Sequence, residues 1–221
     1  MTTFLAGVQR LHRELRRTTA GPTTIVGAAE INARLFDWYA DAWRDLQSER
    51  DWRWMRATLD SPLTIGQQTY TATDLLASRF GRWRAEDEDY CPLVYISGSP
   101  NGAWPLQFTQ LDQFRQQYVY RTWGASTPIA WTIDENERLL LGPQPAVAYQ
   151  LRVGYWKEPS ELTADNDTPD LPSRFALLPM WRALMEAARS SAAPEVLDRA
   201  QENYAQLHSA LMQDQARMPH L

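Results

Sequence analysis

The chain has one cysteine, Cys91, and one lysine, Lys157, in 221 residues. A single cysteine closes no intrachain disulfide, so the fold is expected to stand on its core in a reducing compartment. The single lysine stands between Trp156 and Glu158, where a phosphate-binding loop needs glycine and a hydroxyl residue, and no Gly-x-Gly-x-x-Gly occurs. Histidine is scarce: His12, His208 and His220 are far apart in sequence, with no His-x-x-x-His or Cys-x-x-Cys pair. No metal site and no cofactor are therefore expected. The two helical histidines, His12 and His208, read as surface residues, with a meeting between them as the alternative. Long apolar runs are also missing. The longest uncharged stretch, Tyr90 to Leu111, is broken by Pro92, Pro100 and Pro105, so no membrane partner is expected. The N-terminus carries Arg10, Arg13, Glu14, Arg16 and Arg17, and no signal peptide is expected there. Positive charge is lacking overall: 22 basic residues face 27 acidic ones, for a net charge of −5. A protein that grips nucleic acid through its phosphates carries the opposite balance.

What the chain does have is apolar and aromatic mass. Hydrophobic residues make up 44% and charged residues 22%, and a chain of this size buries roughly 70% of its surface on folding. It holds 10 Trp, 9 Tyr and 6 Phe. Trp, Tyr and Arg together are enriched at protein interfaces.

Periodicity orders the chain into helices, strands and helices again. Phe4, Val8, Leu11 and Leu15 predict a first helix, capped by Thr2 or Thr3 and ended by Gly21-Pro22. Residues 27–49 predict a second, with Ile31, Leu35, Trp38, Ala42 and Leu46 as its stripe, widened by Tyr39 and Trp43. From Asp51 the pattern turns strand-like. Residues 52–59 and 67–71 read as strands, with Ser61-Pro62 as a break; residues 86–104 read as an extended loop. A short helix is expected between Thr109 and Tyr118, with Leu111, Phe114 and Tyr118 inward. Residues 128–134 and 138–141 flank the turn Asp134-Glu135-Asn136-Glu137 as a hairpin. Val147, Tyr149, Leu151, Val153 and Tyr155 share one face of a last strand. Ser173 is placed to cap a helix carrying Phe175, Leu178, Trp181, Leu184, Met185 and Ala188. Pro194 opens a final helix with the seam Leu197, Ala200, Tyr204, Leu207 and Leu211. The expected fold is α+β: a four-helix bundle formed by residues 1–50 and 161–221, with residues 51–160 inserted as an antiparallel β-rich domain.

Reactive chemistry is sparse. Ser97 and Ser99 lie in Ile-Ser-Gly-Ser-Pro-Asn-Gly, which is not a nucleophile elbow. Asp165, Asn166, Asp167 and Asp170 begin like a calcium loop, but the sixth and twelfth positions hold Asp170 and Ala176 where glycine and glutamate are required. Cys91 reads as a buried or idle thiol. No catalytic residue is assigned. The acidic run Glu86-Asp87-Glu88-Asp89 follows Arg79, Arg82 and Arg84 and reads as a solvated loop or a charged interface patch. Trp52-Arg53-Trp54 has two readings. It is a surface anchor between subunits, with Arg53 stacking there, or a strand whose tryptophans pack on the helices. Together with Arg82, Trp83 and Arg84, it supplies the candidate subunit-interface residues.

Several stretches carry a resemblance. They are Gly21-Pro22-Thr23-Thr24-Ile25-Val26-Gly27, then Trp43-Arg44-Asp45-Leu46-Gln47, then Asp51-Trp52-Arg53-Trp54-Met55. The mid-chain Thr109-Gln110-Leu111-Asp112-Gln113-Phe114-Arg115 follows. Then come Tyr155-Trp156-Lys157-Glu158-Pro159, Leu162, Asp165, Asp167, Pro169 and Leu171-Pro172, and the closing helix pair from Ser173 to near Asp214. In this order they cover nearly the whole chain, which resembles the head-to-tail adaptors of tailed bacteriophages, including the tail tubular protein A type. The resemblance implies a structural virion protein and no enzyme. It implies a ring, usually of twelve copies, beneath the portal protein, with the tail nozzle or knob protein below and viral DNA passing through without specific binding. Assembly would take place in the host bacterial cytoplasm. It further implies docking on the portal through the C-terminal helix and tail, here Met212, Gln215, Arg217, Met218, Pro219 and Leu221. A tail-associated cell-wall hydrolase and a small soluble assembly chaperone are the alternatives.

Overall fold

A computed structural model describes residues 2–15, 21–28, 30–85, 90–121 and 124–216, apart from the Ile31 side chain. The chain is α+β. It divides into two compact units, Met1–Met55 with Pro159–Leu221, and Arg56–Glu158.

The first unit is helical. Helix α1 (Phe4–Glu14) starts at Thr3, whose hydroxyl accepts the Ala6 N–H at 3.2 Å. Its stripe of Phe4, Val8 and Leu11 is buried. Helix α2 (Glu30–Ser48) buries Leu35, Phe36, Tyr39, Ala42, Trp43 and Leu46. The buried seam runs through Tyr39 rather than Trp38, which is half-buried at its margin. Close approach of the two helices requires a glycine: a Cβ on Gly7 would sit 2.6–2.7 Å from the Tyr39 ring.

The second half of this unit returns late in the chain. Ser173 caps nothing; it opens a 3-10 turn, Ser173–Phe175, and helix α4 (Leu178–Ser190) begins afterwards with Pro179 in its first turn. Helix α5 (Pro194–Ala216) follows. α4 packs against α5, α2 and α1, and α1 also packs on α2. Three sets of hydrogen bonds tie the early and late segments together. The Asp165 carboxylate accepts the Ile25 N–H and the Thr24 hydroxyl, both at 2.8 Å. The backbone carbonyls of Asp167 and Asp165 accept the Phe4 and Leu5 N–H groups at 2.7 and 3.2 Å. The buried Gln47 amide exchanges two bonds with the Ser160 backbone, at 2.8 and 3.0 Å. Thus, in the acidic stretch that begins like a calcium loop, Asp165 spends its carboxylate on Thr24 and Ile25, and Asp167 on the Thr163 and Ala164 N–H groups.

The second unit stacks two sheets. The first contains β1 (Arg56–Pro62), β3 (Phe80–Trp83), β4 (Leu93–Ile96), β5 (Trp104–Pro105) and β9 (Tyr149–Lys157). β1 lies along one edge of β9, and β3 and β4 pair with it as well, all antiparallel. The second sheet runs β2 (Thr69–Tyr70), β8 (Leu139–Gly142), β7 (Ala130–Ile133), β6 (Gln107–Phe108). Here β6 pairs with β7 in parallel, so the unit is not wholly antiparallel. Tyr149, Leu151, Val153, Tyr155 and Trp83 from one sheet meet Trp131, Leu139 and Leu141 from the other in one core. On the far side of the second sheet, Phe114 of α3 (Leu111–Phe114) packs on Ala130 and Leu140, with Tyr118 alongside.

The sheets correct several expectations. The strand expected at 52–59 starts at Arg56, after a 3-10 turn at Arg53–Met55, and runs through Pro62. β1 is an edge strand, where proline forfeits no ladder bond. The 86–104 loop contains β4 and a 3-10 turn, Pro100–Gly102. Val147 precedes β9 and is 46% exposed. Cys91 is exposed, not buried. His12 is buried at 4% exposure, not on the surface.

Candidate assembly surfaces

Two clusters gather the candidate residues. The first lies in the helical unit, where the chain leaves α2 beside the last turns of α5. Trp52 is fully buried, and its indole N–H donates to the Leu46 carbonyl. Trp54 stacks on it at 4.5 Å with an interplanar angle of 19°. The His208 ring meets Trp52 edge-on, and Tyr204 stacks on His208 at 5.2 Å. His208 Nε2 also lies 3.0 Å from the Glu49 carboxylate. Around this aromatic pile sit arginines held by α5. Arg50 Nη1 donates to the Met212 sulfur at 3.2 Å, and the Arg53 N–H donates to Gln215 Oε1 at 3.0 Å. Arg174 pairs with Asp214 and holds its carboxyl below the usual carboxylate range. Arg182 reaches both Asp45, at 2.8 Å, and the Tyr204 hydroxyl, at 3.2 Å. Burial raises the Tyr204 pKa.

The structure therefore brings Gln215 onto Arg53 and Met212 onto Arg50, just before the Trp52-Arg53-Trp54 segment. Arg217, Met218, Pro219 and Leu221 lie outside the described residues, as does the acidic run Glu86–Asp89. Met212, Gln215 and Trp54 are half-buried and Arg53 is exposed, so each keeps surface for a partner. Trp52 has none left and supports the cluster from beneath.

The second cluster is on the first sheet of the β unit. Side chains directly opposite across a ladder share a face. Arg56 lies opposite Trp156 and Trp156 opposite Arg82. Both guanidiniums stand over the Trp156 ring, at 4.7 and 5.5 Å. Strand alternation sends Trp83 to the other face, where it is 2% exposed and its indole donates to the Glu137 carbonyl at 2.8 Å. Trp83 is thus a core residue between two outward arginines. Arg84 lies over the Tyr90 ring at 4.5 Å, and Tyr90 covers Gly154, where a Cβ would come 2.9 Å from its hydroxyl. Further along the face Arg152 makes a bidentate pair with Asp60, the shortest contact at 2.9 Å, and lies 5.8 Å from the Tyr95 ring. Arg56, Trp156, Tyr90 and Arg152 were not among the candidates. The signal for them is the register of β1 on β9, which periodicity in one strand does not contain.

A cavity of about 440 Å³ in the same unit lies between β6 and the turn after α3, lined by Gln107, Gln110, Gln113, Gln117, Phe108 and Tyr118. Its lining is amide and aromatic, without a nucleophile beside a base. Among the described residues no group of three His, Cys, Asp or Glu could hold a metal ion. No described helix is long and apolar enough to cross a membrane.

What both clusters offer is stacked aromatics, arginine forks and half-buried contact area. That is the make-up of a structural protein that joins other proteins. The family model for SU10 adaptor protein matches residues 2–220, and the chain belongs to that family. It is accordingly a phage head-to-tail adaptor, a structural component of the virion at the junction of head and tail. A comparison with curated proteins finds no match.

Proposed function

We propose that the chain forms a closed ring, of twelve copies, between the portal protein and the tail nozzle or knob protein, around the channel through which DNA leaves. The family match over residues 2–220 carries this reading. The net charge of −5 supports it, because fixed acids repel phosphate and let a duplex slide. α1, α2, α4 and α5 act as a four-helix bundle, with the β unit inserted as a separate domain. The order of segments follows the tail tubular protein A type of short-tailed phages, and assembly takes place in the host cytoplasm.

Within this reading the end of α5 docks on the portal, through Met212 and Gln215 and onward through Arg217, Met218, Pro219 and Leu221. The bonds from Arg50 and Arg53 to Met212 and Gln215 support it, since they fix the last turns of α5 in one direction. Arg53, Trp54, Arg82 and Arg84 face neighbouring copies, while Trp52 and Trp83 hold them from within.

The test mixes the purified protein with portal rings of the same phage and weighs the product by mass photometry. Twelve copies of 25.4 kDa add about 305 kDa to the portal. Unaltered portal mass, with both components folded, overturns the reading. A chain ending at Ala216 keeps the bonds from Arg50 and Arg53 and is expected to lose portal binding while keeping its thermal melt; unchanged binding would remove Arg217, Met218, Pro219 and Leu221 from the docking surface.

A further inference from the structure

The last turns of α5 wall a second, smaller cavity in the helical unit. It holds about 210 Å³ and is lined by Arg174, Phe175, Ala210, Gln213 and Asp214. That is room for one large side chain and too little for a drug-sized ligand or a cofactor. Helix spacing makes its wall: Ala210, Gln213 and Asp214 stand at i, i+3 and i+4 and share one face of α5. Phe175, from the 3-10 turn before α4, is buried and forms an apolar floor with the Ala210 methyl. Arg174 lies over the Phe175 ring at 4.9 Å and pairs with Asp214, so a ring holds one side of its guanidinium and a carboxylate holds its edge. The Arg174 side chain is still 62% exposed, which leaves the opposite side of the guanidinium accessible. An apolar floor under a polar rim is the make-up of a pocket that receives an anchor side chain at a protein interface. The cavity also continues into the docking end of α5. The Gln215 amide donates to Asp214 at 2.9 Å, and the same Gln215 accepts the Arg53 N–H.

We propose that this pocket receives one aromatic side chain of the portal protein, stacked on the accessible face of Arg174. The proposal rests on the portal-docking reading above and names a contact within it. A ring is favoured over an aliphatic chain because a guanidinium already flat on Phe175 offers a second flat face with little rotamer freedom left to lose. A carboxylate is disfavoured because Asp214 already balances the one arginine of the lining. The portal is favoured over a second copy because the pocket shares Asp214 and its bond to Gln215 with the end of α5 that docks there.

The experiment uses full-length variants and portal rings of the same phage. Ala210→Phe fills the pocket from its own wall, and Arg174→Lys keeps the charge but removes the flat face. Both should keep the wild-type melting curve and load the portal at least about tenfold less well. Ala205→Phe, also exposed on α5 but about 140° around the helix from Ala210, controls for added bulk and should load normally. A photo-reactive benzoylphenylalanine in place of Gln213 should cross-link to the portal beside an aromatic residue. The proposal is overturned if either pocket variant loads normally, or if Ala205→Phe loses loading to the same extent. It is equally overturned if the cross-link goes to another copy of this chain or to residues 217–221 of the same chain. Should a pocket variant melt early, the cross-link decides in its place. If wild-type protein itself loads no portal, the docking reading is what fails.

Discussion

The two units are closed by different devices. In the helical unit, segments more than a hundred positions apart are registered by polar bonds: Asp165 to Thr24 and Ile25, and Gln47 to Ser160. In the β unit, ladders set the register, and one aromatic core between two sheets supplies the cohesion. Apolar helix stripes tolerate sliding, so a helical unit assembled from both ends of a chain gains from a few directional bonds. A ladder needs none of these. It leaves its outer face free for surface chemistry, and that face is where the arginines stand.

The largest effect on this contrast should come from the β core. Trp83→Ala removes a buried indole at the sheet interface and leaves the Glu137 carbonyl without its donor, an expected loss of about 3–5 kcal/mol in a urea titration. Next comes the helical lock. Asp165→Ala frees the Thr24 hydroxyl and the Ile25 N–H and should cost about 1–3 kcal/mol. A loss below a few tenths there would mean that apolar packing alone sets the helix register. Gly7→Ala presses a methyl into the Tyr39 ring, with about 1–3 kcal/mol expected. Tyr39→Phe should not relieve it, since the ring carbons lie as near as the hydroxyl.

The smallest effect is with pH. The Ala164 and Thr163 N–H groups hold the Asp167 carboxyl below the usual carboxylate range. Arg174 does the same for Asp214. Burial pushes Asp134 upward, but Arg138 and two backbone N–H groups outweigh it and leave the group lowered. Carboxylates with depressed values stabilise the folded chain above the unfolded value and lose that contribution as pH falls through the folded one. Thermal stability should therefore hold down to about pH 4 and decline below it. A decline that begins near pH 6 would point to a histidine instead.

Helices were the more legible part of the sequence. The Phe4, Val8, Leu11 stripe, the Thr3 cap and the Pro194 start are local features, and the structure has each of them. The hairpin at Asp134–Glu137 and the inward face of β9 were legible for the same reason. β4 was not, because Pro92 and the Ser-Gly-Ser-Pro stretch frame four residues that become a strand only beside β9. The assembly surfaces were legible by halves. Met212, Gln215 and Arg53 were recognisable as candidates, and so were Arg82 and Arg84, though together with Trp83. Nothing local assigns Trp83 to the core and Trp156 to the arginine face; the pairing of β1 and β3 with β9 does that.

Cryo-microscopy of the head–tail junction tests the central claim most directly. The account predicts one closed ring of this chain between portal and tail, encircling the channel, with the C-terminal end of α5 toward the portal. Density for this chain elsewhere in the particle, or no ring at the junction, would contradict it.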